Sequence, residues 1–182
     1  MHRSASWSCA RTSGLPGYTG SMSQTPHDLA TALAQGLDVL AFLNGHRGGF
    51  DKGIGLVFTK VEEDVIEAEI PVTENLLQSY GLVHGGVYAG IVEALSSTGA
   101  AVYAWPRGQT TVGIENATSF LRAVRSGVLR ARGVPLQRGR RTQVWEVVVR
   151  DAEDRVAATG RVRMLCLDPG SAVAGEPVAL KT

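Results

Sequence analysis

The residue types best suited to chemistry are concentrated in the stretch QSYGLVHGGVYAGIVEALSSTGAAVYAW, residues 78–105. Glu93 is the only Asp, Glu, Lys or Arg in this run, which is apolar enough to form a buried helix. At about 100° per residue, one bulky face of that helix should pack on a sheet. This face comprises Tyr88, Ile91, Leu95, Thr98 and Val102. Glu93 lies nearly opposite, among the small residues Gly86, Ala89, Gly90, Ser96, Ser97 and Ala100.

A carboxylate in this position has two interpretations. It could be a solvated surface charge, but solvated helix faces are usually rich in Lys, Arg and Glu. The small neighbours instead leave room for a second helix or a ligand to approach. The sequence therefore favours Glu93 as a partly buried carboxylate in a cleft. An isolated charge in such a position normally has a functional role.

The two glycines that begin the helix, Gly85 and Gly86, predict a site for an oxyanion. The first N–H groups of a helix have no intrahelical partner and carry partial positive charge. Glycines would let the oxygen of a carbonyl come close to these donors as the carbon becomes tetrahedral. A tight loop entering the helix is the simpler alternative. His84 has two roles of equal weight, fixing that loop or polarising a carbonyl directly.

The spacing of these groups predicts an assembly of two chains. Gly85 and Glu93 are eight positions apart, which is about 12 Å along a helix axis. One small carbonyl cannot easily touch both groups of the same helix. A second copy of the helix, antiparallel across a two-fold axis, would bring Gly85 of one chain near Glu93 of the other. We therefore expect a homodimer with shared active sites.

The rest of the chain predicts the elements that must position this helix. Apolar spacing predicts an N-terminal helix over residues 23–45, and alternation predicts two strands around an acidic turn near residues 62–64. The long helix should run from Gly86 to Ala104, and four strands should follow within residues 110–167. Short turns between successive strands favour antiparallel neighbours. The expected fold class is α+β, a curved antiparallel sheet wrapped around one long central helix.

Length and composition limit the broad class. The chain has 182 residues, which suits one domain, and a formal net charge of +1, which disfavours binding to nucleic acid or to anionic membranes. Polar residues inside the long helix argue against a membrane span. The two cysteines, Cys9 and Cys166, indicate neither a zinc site nor a disulfide framework, so a reducing, cytoplasmic location is expected.

Residues 1–22 are interpreted as a disordered extension, or as sequence before a true start at Met22, and residues 169–182 as a loose tail.

The spacing Q-x5-HGG-x7-E-x3-S, formed by Gln78, His84, Gly85, Gly86, Glu93 and Ser97, resembles the hotdog-fold acyl-CoA thioesterases. The most similar groups are the phenylacetate-pathway and 4-hydroxybenzoyl-CoA thioesterases. The resemblance covers about residues 48–168 and implies a hotdog domain over residues 46–168. It implies hydrolysis of an acyl- or aroyl-CoA by a homodimer, paired further into a dimer of dimers.

The resemblance also implies a role for each residue of the motif. The Gly85 amide, alone or with Gly86, would polarise the thioester carbonyl, and Glu93 would act as the nucleophile or as the general base for water. Ser97 would orient Glu93 or the water, and Gln78 would position the thioester or the water. A solvated loop amide is the alternative for Gln78. No cofactor is implied, because coenzyme A is part of the substrate. No metal is expected either, because the sequence has no H-E-x-x-H and no Cys/His cluster.

Arginines offer a site for the phosphates of coenzyme A. Arg138, Arg140 and Arg141 fall at a predicted hairpin turn, and arginine suits bidentate contacts to phosphate. A solvated hairpin with alternating charges explains many of the arginines in this region equally well.

Other functions of the same fold are less favoured by the sequence. A hotdog dehydratase or hydratase typically carries an HF-P-G type motif, which this chain lacks. A non-catalytic acyl-CoA-binding protein would gain nothing from a carboxylate beside a thioester. The chain has no G-x-S-x-G, no H-E-x-x-H and no complete dinucleotide fingerprint.

Overall fold

The computed structural model describes residues 26–178, with the side chains of residues 26–29 and 177 left out. The extension expected over residues 1–22, including the alternative start at Met22, lies outside the described residues. So do residues 179–182 of the expected tail. Residues 172–178 contain a small two-stranded hairpin, β7 and β8, at Ala172–Val173 and Glu176–Pro177.

Six strands form one antiparallel sheet in the order β1-β2-β4-β5-β6-β3. They span Val57–Glu62 (β1), Val65–Pro71 (β2), Thr110–Phe120 (β3), Val128–Arg138 (β4), Thr142–Arg150 (β5) and Val156–Leu167 (β6). Each sequence-predicted strand is present. The expectation that successive strands pair is wrong at one point, because β3 pairs with β6 and not with β4. The chain between Phe120 and Val128 instead carries β4 to a place between β2 and β5.

The long helix, α4, spans Gly85–Ala104, as the sequence predicts to within one residue. Tyr88, Ile91 and Leu95 are buried against the sheet, as expected of the bulky face. Thr98 and Val102 are only partly buried. The sheet curves around α4, so it also buries residues that the sequence assigns to the small-residue side. These residues are Ser96 and Ala100, both with no exposed surface.

The N-terminal segment differs from the single helix expected over residues 23–45. It forms two helices, α1 (Pro26–Ala34) and α2 (Val39–Gly45), followed by a short helix α3 (Gly49–Gly53). Gly36 has a φ of +87°, which a helix cannot accommodate and which glycine adopts freely. The Asp38 side chain then caps α2 by accepting a hydrogen bond from the Ala41 N–H at 3.0 Å.

Two packing features bear on the site that α4 carries. Strand β3 is an edge of the sheet, paired with β6 on one side only, and much of its length is exposed, including Ile114 at 53%. The helices α1 and α2 cover the far end of α4, where Leu33 and Phe42 pack around Trp105. Within residues 26–178, no helix is both long enough and apolar enough to cross a membrane.

Candidate active site

Glu93 lies half-buried on α4, facing strand β3. The Ser97 hydroxyl, one helical turn later, donates a hydrogen bond to Glu93 Oε1 at 3.1 Å. The Asn116 amide nitrogen on β3 donates to the other oxygen, Oε2, at 2.9 Å. A donor therefore fixes each oxygen of the carboxylate, so the orientation of the group is set from both sides.

The sequence of β3 makes room for this carboxylate. Any side chain at Gly113 would overlap Glu93 Oε1. The register of β3 against β6 also shifts between Gly113 and Glu115, a bulge that bends the strand where the carboxylate approaches. The glycine and the bulge together explain how a charged side chain can lie directly against a strand.

His84 is the N-cap residue of α4. Its Nδ1 accepts a hydrogen bond from the Gly86 N–H at 2.9 Å, and its carbonyl accepts one from the Val87 N–H at 2.9 Å. The ring is therefore used to fix the helix start, which is one of the two roles considered for it. Because the Gly86 N–H already has an acceptor, Gly86 is not a free donor in this arrangement.

The Gly85 N–H is the remaining donor at the helix start. No residue within 26–178 accepts a hydrogen bond from it. The Phe120 ring lies against Gly85, and the Phe50 ring lies against Gly90 one turn further along α4. Both rings are more than half exposed. The small residues of α4 thus allow two aromatic rings to flank the approach to the helix start.

Gln78 is half-buried in the turn before α4. Its side-chain oxygen accepts a hydrogen bond from the Tyr80 N–H at 2.5 Å, so the amide is held by its own loop. No partner for the Gln78 amide nitrogen is found in the described part of the chain. The structure thus shows a loop-fixing contact and leaves one polar end of Gln78 available for the predicted positioning role.

A cavity of about 440 Å³ opens beside the helix start, between α3, α4 and a short 3₁₀ helix at Glu74–Leu76. It falls within the usual size range of small-molecule sites. His84 and Asn75 supply its polar side chains, and its apolar wall is formed by Phe50, Ile54, Leu76, Leu77 and Val87. The cavity therefore suits an apolar group attached to whatever binds at the start of α4.

The three candidate phosphate ligands are not equivalent. Arg138 is half-buried and pairs with Asp64 at 2.6 Å, while its guanidinium lies 4.5 Å from the centre of the Tyr103 ring. Arg140 and Arg141 are exposed, and neither side chain has an ion pair within residues 26–178. Since Tyr103 is near the end of α4, the structure places this group well away from Gly85 in the same chain.

Two titratable groups near the site have shifted pKa values. Burial, with the charge of Asp151 adding to it, raises the pKa of Tyr88 to about 12. Its hydroxyl makes no hydrogen bond to a described residue, and its ring centroid lies 6.0 Å from that of Phe120. Burial also raises the pKa of Asp51 in α3, although the charge of Arg47 partly offsets this. Tyr88 is therefore a neutral, buried support for the helix.

The Thr118 hydroxyl donates a hydrogen bond to Asn116 Oδ1. Sequence reasoning missed four residues of this site: Asn116, Thr118, Phe50 and Phe120. The three on β3 have even numbers, so they share one face of a strand, and that alternation was the available signal. Nothing local indicated that this face would meet α4, because the contact joins residues more than twenty positions apart.

Among residues 26–178, no group of three or more His, Cys, Asp or Glu side chains is arranged to hold a metal ion.

Comparison with known proteins identifies the family. The model of the thioesterase superfamily matches residues 80–158. The Mycobacterium tuberculosis protein Rv1847 is 42% identical over 123 residues, covering 65% of this chain and 86% of that protein. Its solved structure superimposes with a TM-score of 0.66 at 40% identity, covering 68% of this chain and 100% of the other.

Two further relatives have named activities. The proofreading thioesterase EntH of Cronobacter sakazakii is 40% identical over 110 residues, covering 60% of this chain and 79% of EntH. The structure of the thioesterase HI1161 from Haemophilus influenzae has a TM-score of 0.69 at 30% identity, covering 72% and 92% of the two chains. The resemblance drawn from the sequence is confirmed: this chain belongs to the thioesterase superfamily, and its architecture is the hotdog fold.

Proposed function

We propose that this thioester hydrolase acts on an acyl- or aroyl-CoA and releases the free acid and coenzyme A. One observation carries the proposal. The carboxylate of Glu93 is held by a donor on each oxygen, and it lies on the same helix whose first N–H group, at Gly85, has no acceptor among the described residues. A fixed carboxylate can act as base or nucleophile, and a free amide donor can stabilise the oxyanion, so the two groups suit thioester hydrolysis.

The carbonyl oxygen of the thioester accepts a hydrogen bond from the Gly85 N–H, which stabilises the charge that develops on that oxygen. As a general base, Glu93 takes a proton from water while the water oxygen attacks the carbonyl carbon. The tetrahedral intermediate then loses the thiolate as the C–S bond breaks, and the thiolate takes up the proton from Glu93. Ser97 orients the carboxylate, and Gln78 positions the thioester or the water.

As a nucleophile, Glu93 instead attacks the carbonyl carbon itself. The C–S bond breaks, the thiolate leaves, and a mixed anhydride of Glu93 with the acyl group remains for water to hydrolyse. A single turnover in ¹⁸O-labelled water tests for the anhydride. Label found in the Glu93 carboxylate supports it, because water has then attacked the Glu93 carbonyl of the anhydride, whereas label in the product acid arises on either route.

A homodimer would bring the two groups together. Eight residues of helix separate Gly85 from Glu93 by about 12 Å, so the donor and the carboxylate that serve one thioester come from different chains. The exposed edge of β3, which carries Ile114 and lies beside Glu93, supports this arrangement as a surface that a second chain can cover. Two such dimers would pair to form the tetramer.

Different parts of the protein would bind the acyl group and the coenzyme A of the substrate. The cavity lined by Phe50, Leu76 and Val87 adjoins the helix start and would hold the acyl group. Arg140 and Arg141 are exposed and would meet the phosphates of coenzyme A. Arg138 is already engaged by Glu63 and Asp64, so its role would be to hold the turn that presents the other two.

The test is hydrolysis of short, medium, long and aromatic acyl-CoAs, followed with a thiol reagent. Glu93→Gln keeps the shape of the side chain but removes the base, so we expect kcat to fall by about 10²-fold or more. Glu62→Gln is the matched control, since Glu62 is on β1, pairs with Lys60 and is exposed. Failure of the wild type on every substrate class would refute the acyl-CoA assignment, and full activity of Glu93→Gln would refute the assigned mechanism.

A further inference from the structure

The contact between Glu93 and β3 extends beyond Asn116. The Thr118 hydroxyl, two residues further along β3, donates a hydrogen bond to Asn116 Oδ1 at 2.6 Å. Asn116 Nδ2 in turn donates to Glu93 Oε2 at 2.9 Å and to the Ala89 carbonyl at 3.1 Å. A chain of hydrogen bonds therefore runs from Thr118 through Asn116 to the carboxylate.

This chain fixes which way the Asn116 amide points. Both Glu93 Oε2 and the Ala89 carbonyl are acceptors, so the amide must present its nitrogen to them. The amide oxygen then faces Thr118, whose hydroxyl supplies the proton that this oxygen needs. In the flipped orientation, Asn116 Oδ1 would face two acceptors and the hydroxyl would face two donors of the amide.

Ser97 and Asn116, the two donors to Glu93, lie on different elements of the fold. Ser97 lies on α4 with Glu93, and its hydroxyl also contacts Met164 Sδ on β6 at 3.9 Å. Asn116 lies on β3, and its bond to the Ala89 carbonyl ties that strand to the same turn of the helix. Of the two donors described for the carboxylate, Asn116 is the one that comes from the sheet itself.

We propose that Asn116 and Thr118 are positioning residues for Glu93: Thr118 fixes the amide of Asn116, and Asn116 fixes the Oε2 side of the carboxylate. This inference rests on the proposed function, because it assigns the two residues to the group that reacts. Neither residue touches the thioester. Their effect is on the fraction of Glu93 side chains held in the reactive orientation, so their loss lowers kcat and leaves substrate binding unchanged.

The experiment compares kcat and KM in three variants. Asn116→Ala removes the donor, and we expect kcat to fall about tenfold with KM unchanged. Thr118→Val keeps the volume but removes the hydroxyl, and we expect a smaller fall, about threefold. Thr118→Ser keeps the hydroxyl and should restore the wild-type kcat, which a purely steric role for Thr118 does not predict.

A double-mutant cycle separates positioning from general damage. In the Glu93→Gln background, Asn116→Ala should lower the residual rate no further, because the group that it orients is already lost. Asn116→Leu provides a second variant of similar size without a donor, with thermal melting as the check on folding. Wild-type kcat in both Asn116 variants, with Glu93→Gln inactive, would overturn this inference and leave the proposed function intact. Full activity of Glu93→Gln would instead overturn the proposed function.

Discussion

The phenyl ring of Phe120 lies so close to Gly85 that a Cβ on Gly85 would come within 2.7 Å of the ring's Cε2 atom. Gly85 is the first residue of α4, and its N–H is the donor assigned to the thioester carbonyl. The last residue of β3 therefore borders the amide that is proposed to bind the thioester carbonyl. The same strand holds Glu93 further along, so β3 contacts both of the α4 residues that the proposed mechanism uses.

This relationship predicts the effect of Gly85→Ala. The added methyl group would push the exposed Phe120 ring aside at little cost in stability, since the ring can rotate away and alanine favours a helix. It would nevertheless crowd the approach to the Gly85 N–H, so we expect kcat/KM to fall at least tenfold while the melting temperature changes by only a few degrees.

The control for this prediction is the pair Phe120→Ala and Gly85→Ala/Phe120→Ala. If crowding of the amide is the cause, removing the ring does not restore activity to the double variant. Recovery in the double variant would show that the ring's displacement is the damaging event. Full activity of Gly85→Ala alone would contradict the prediction and show that the methyl group does not obstruct this amide.

Two adjacent serines on α4 provide a matched pair. Ser97 donates to Glu93 Oε1, whereas Ser96 is fully buried and its hydroxyl has no partner among the described residues. A hydrogen bond to a charged group is worth about 1.5–3 kcal/mol, so Ser97→Ala should lower kcat by about tenfold or more. Ser96→Ala removes an unpaired buried hydroxyl and should keep full activity with equal or higher stability.

Steady-state kinetics and urea unfolding of the two serine variants check this prediction together. Equal losses of activity in Ser96→Ala and Ser97→Ala would show that the helix tolerates no change on either face. Unchanged kcat in Ser97→Ala would leave Asn116 as the one described donor that matters for Glu93.

The cavity beside the helix start predicts a change in acyl selectivity. Leu77 is half-buried in its wall, and Leu77→Trp would fill space that a long or aromatic acyl group needs. We expect the ratio of kcat/KM for octanoyl-CoA to that for acetyl-CoA to fall about tenfold, within the range that an apolar pocket can discriminate. Val57→Trp, on the exposed side of β1, should leave the ratio unchanged. An unchanged ratio in Leu77→Trp would place the acyl group elsewhere.

Local patterns were sufficient to predict α4 and the six strands of the main sheet. The apolar spacing around Ile91 and the alternation around Ile66 depend on residues close in sequence, and those elements formed where expected. The break at Gly36 is different, because a positive φ there turns the chain while the apolar spacing continues through it. Helix propensity alone predicts that a glycine at this position destabilises a helix by only about 1 kcal/mol.

Long-range contacts were not predictable from the sequence. The pairing of β3 with β6 joins Phe120 to Ala158, and neither segment encodes that choice locally. The motif residues Glu93 and Ser97 are one helical turn apart, so their hydrogen bond followed from helix geometry. Asn116 reaches Glu93 only because β3 returns along α4, so the second donor required the structure.

Burial of Tyr88 predicts how stability depends on pH in alkaline solution. Its pKa is raised to about 12 in the folded chain, against about 10 in an unfolded chain. The folded state therefore binds the proton more tightly, and this contribution to stability is complete below about pH 10 and is lost as the pH rises toward 12. In Tyr88→Phe, the midpoint of urea unfolding should fall less steeply at alkaline pH. At pH 8 the substitution should lower stability only slightly, since the hydroxyl has no partner in the described chain. Tyr80→Phe, at a residue that is 83% exposed, is the control and should show the wild-type dependence of the urea midpoint on pH. An equally steep fall in Tyr88→Phe would mean that another group causes the alkaline unfolding.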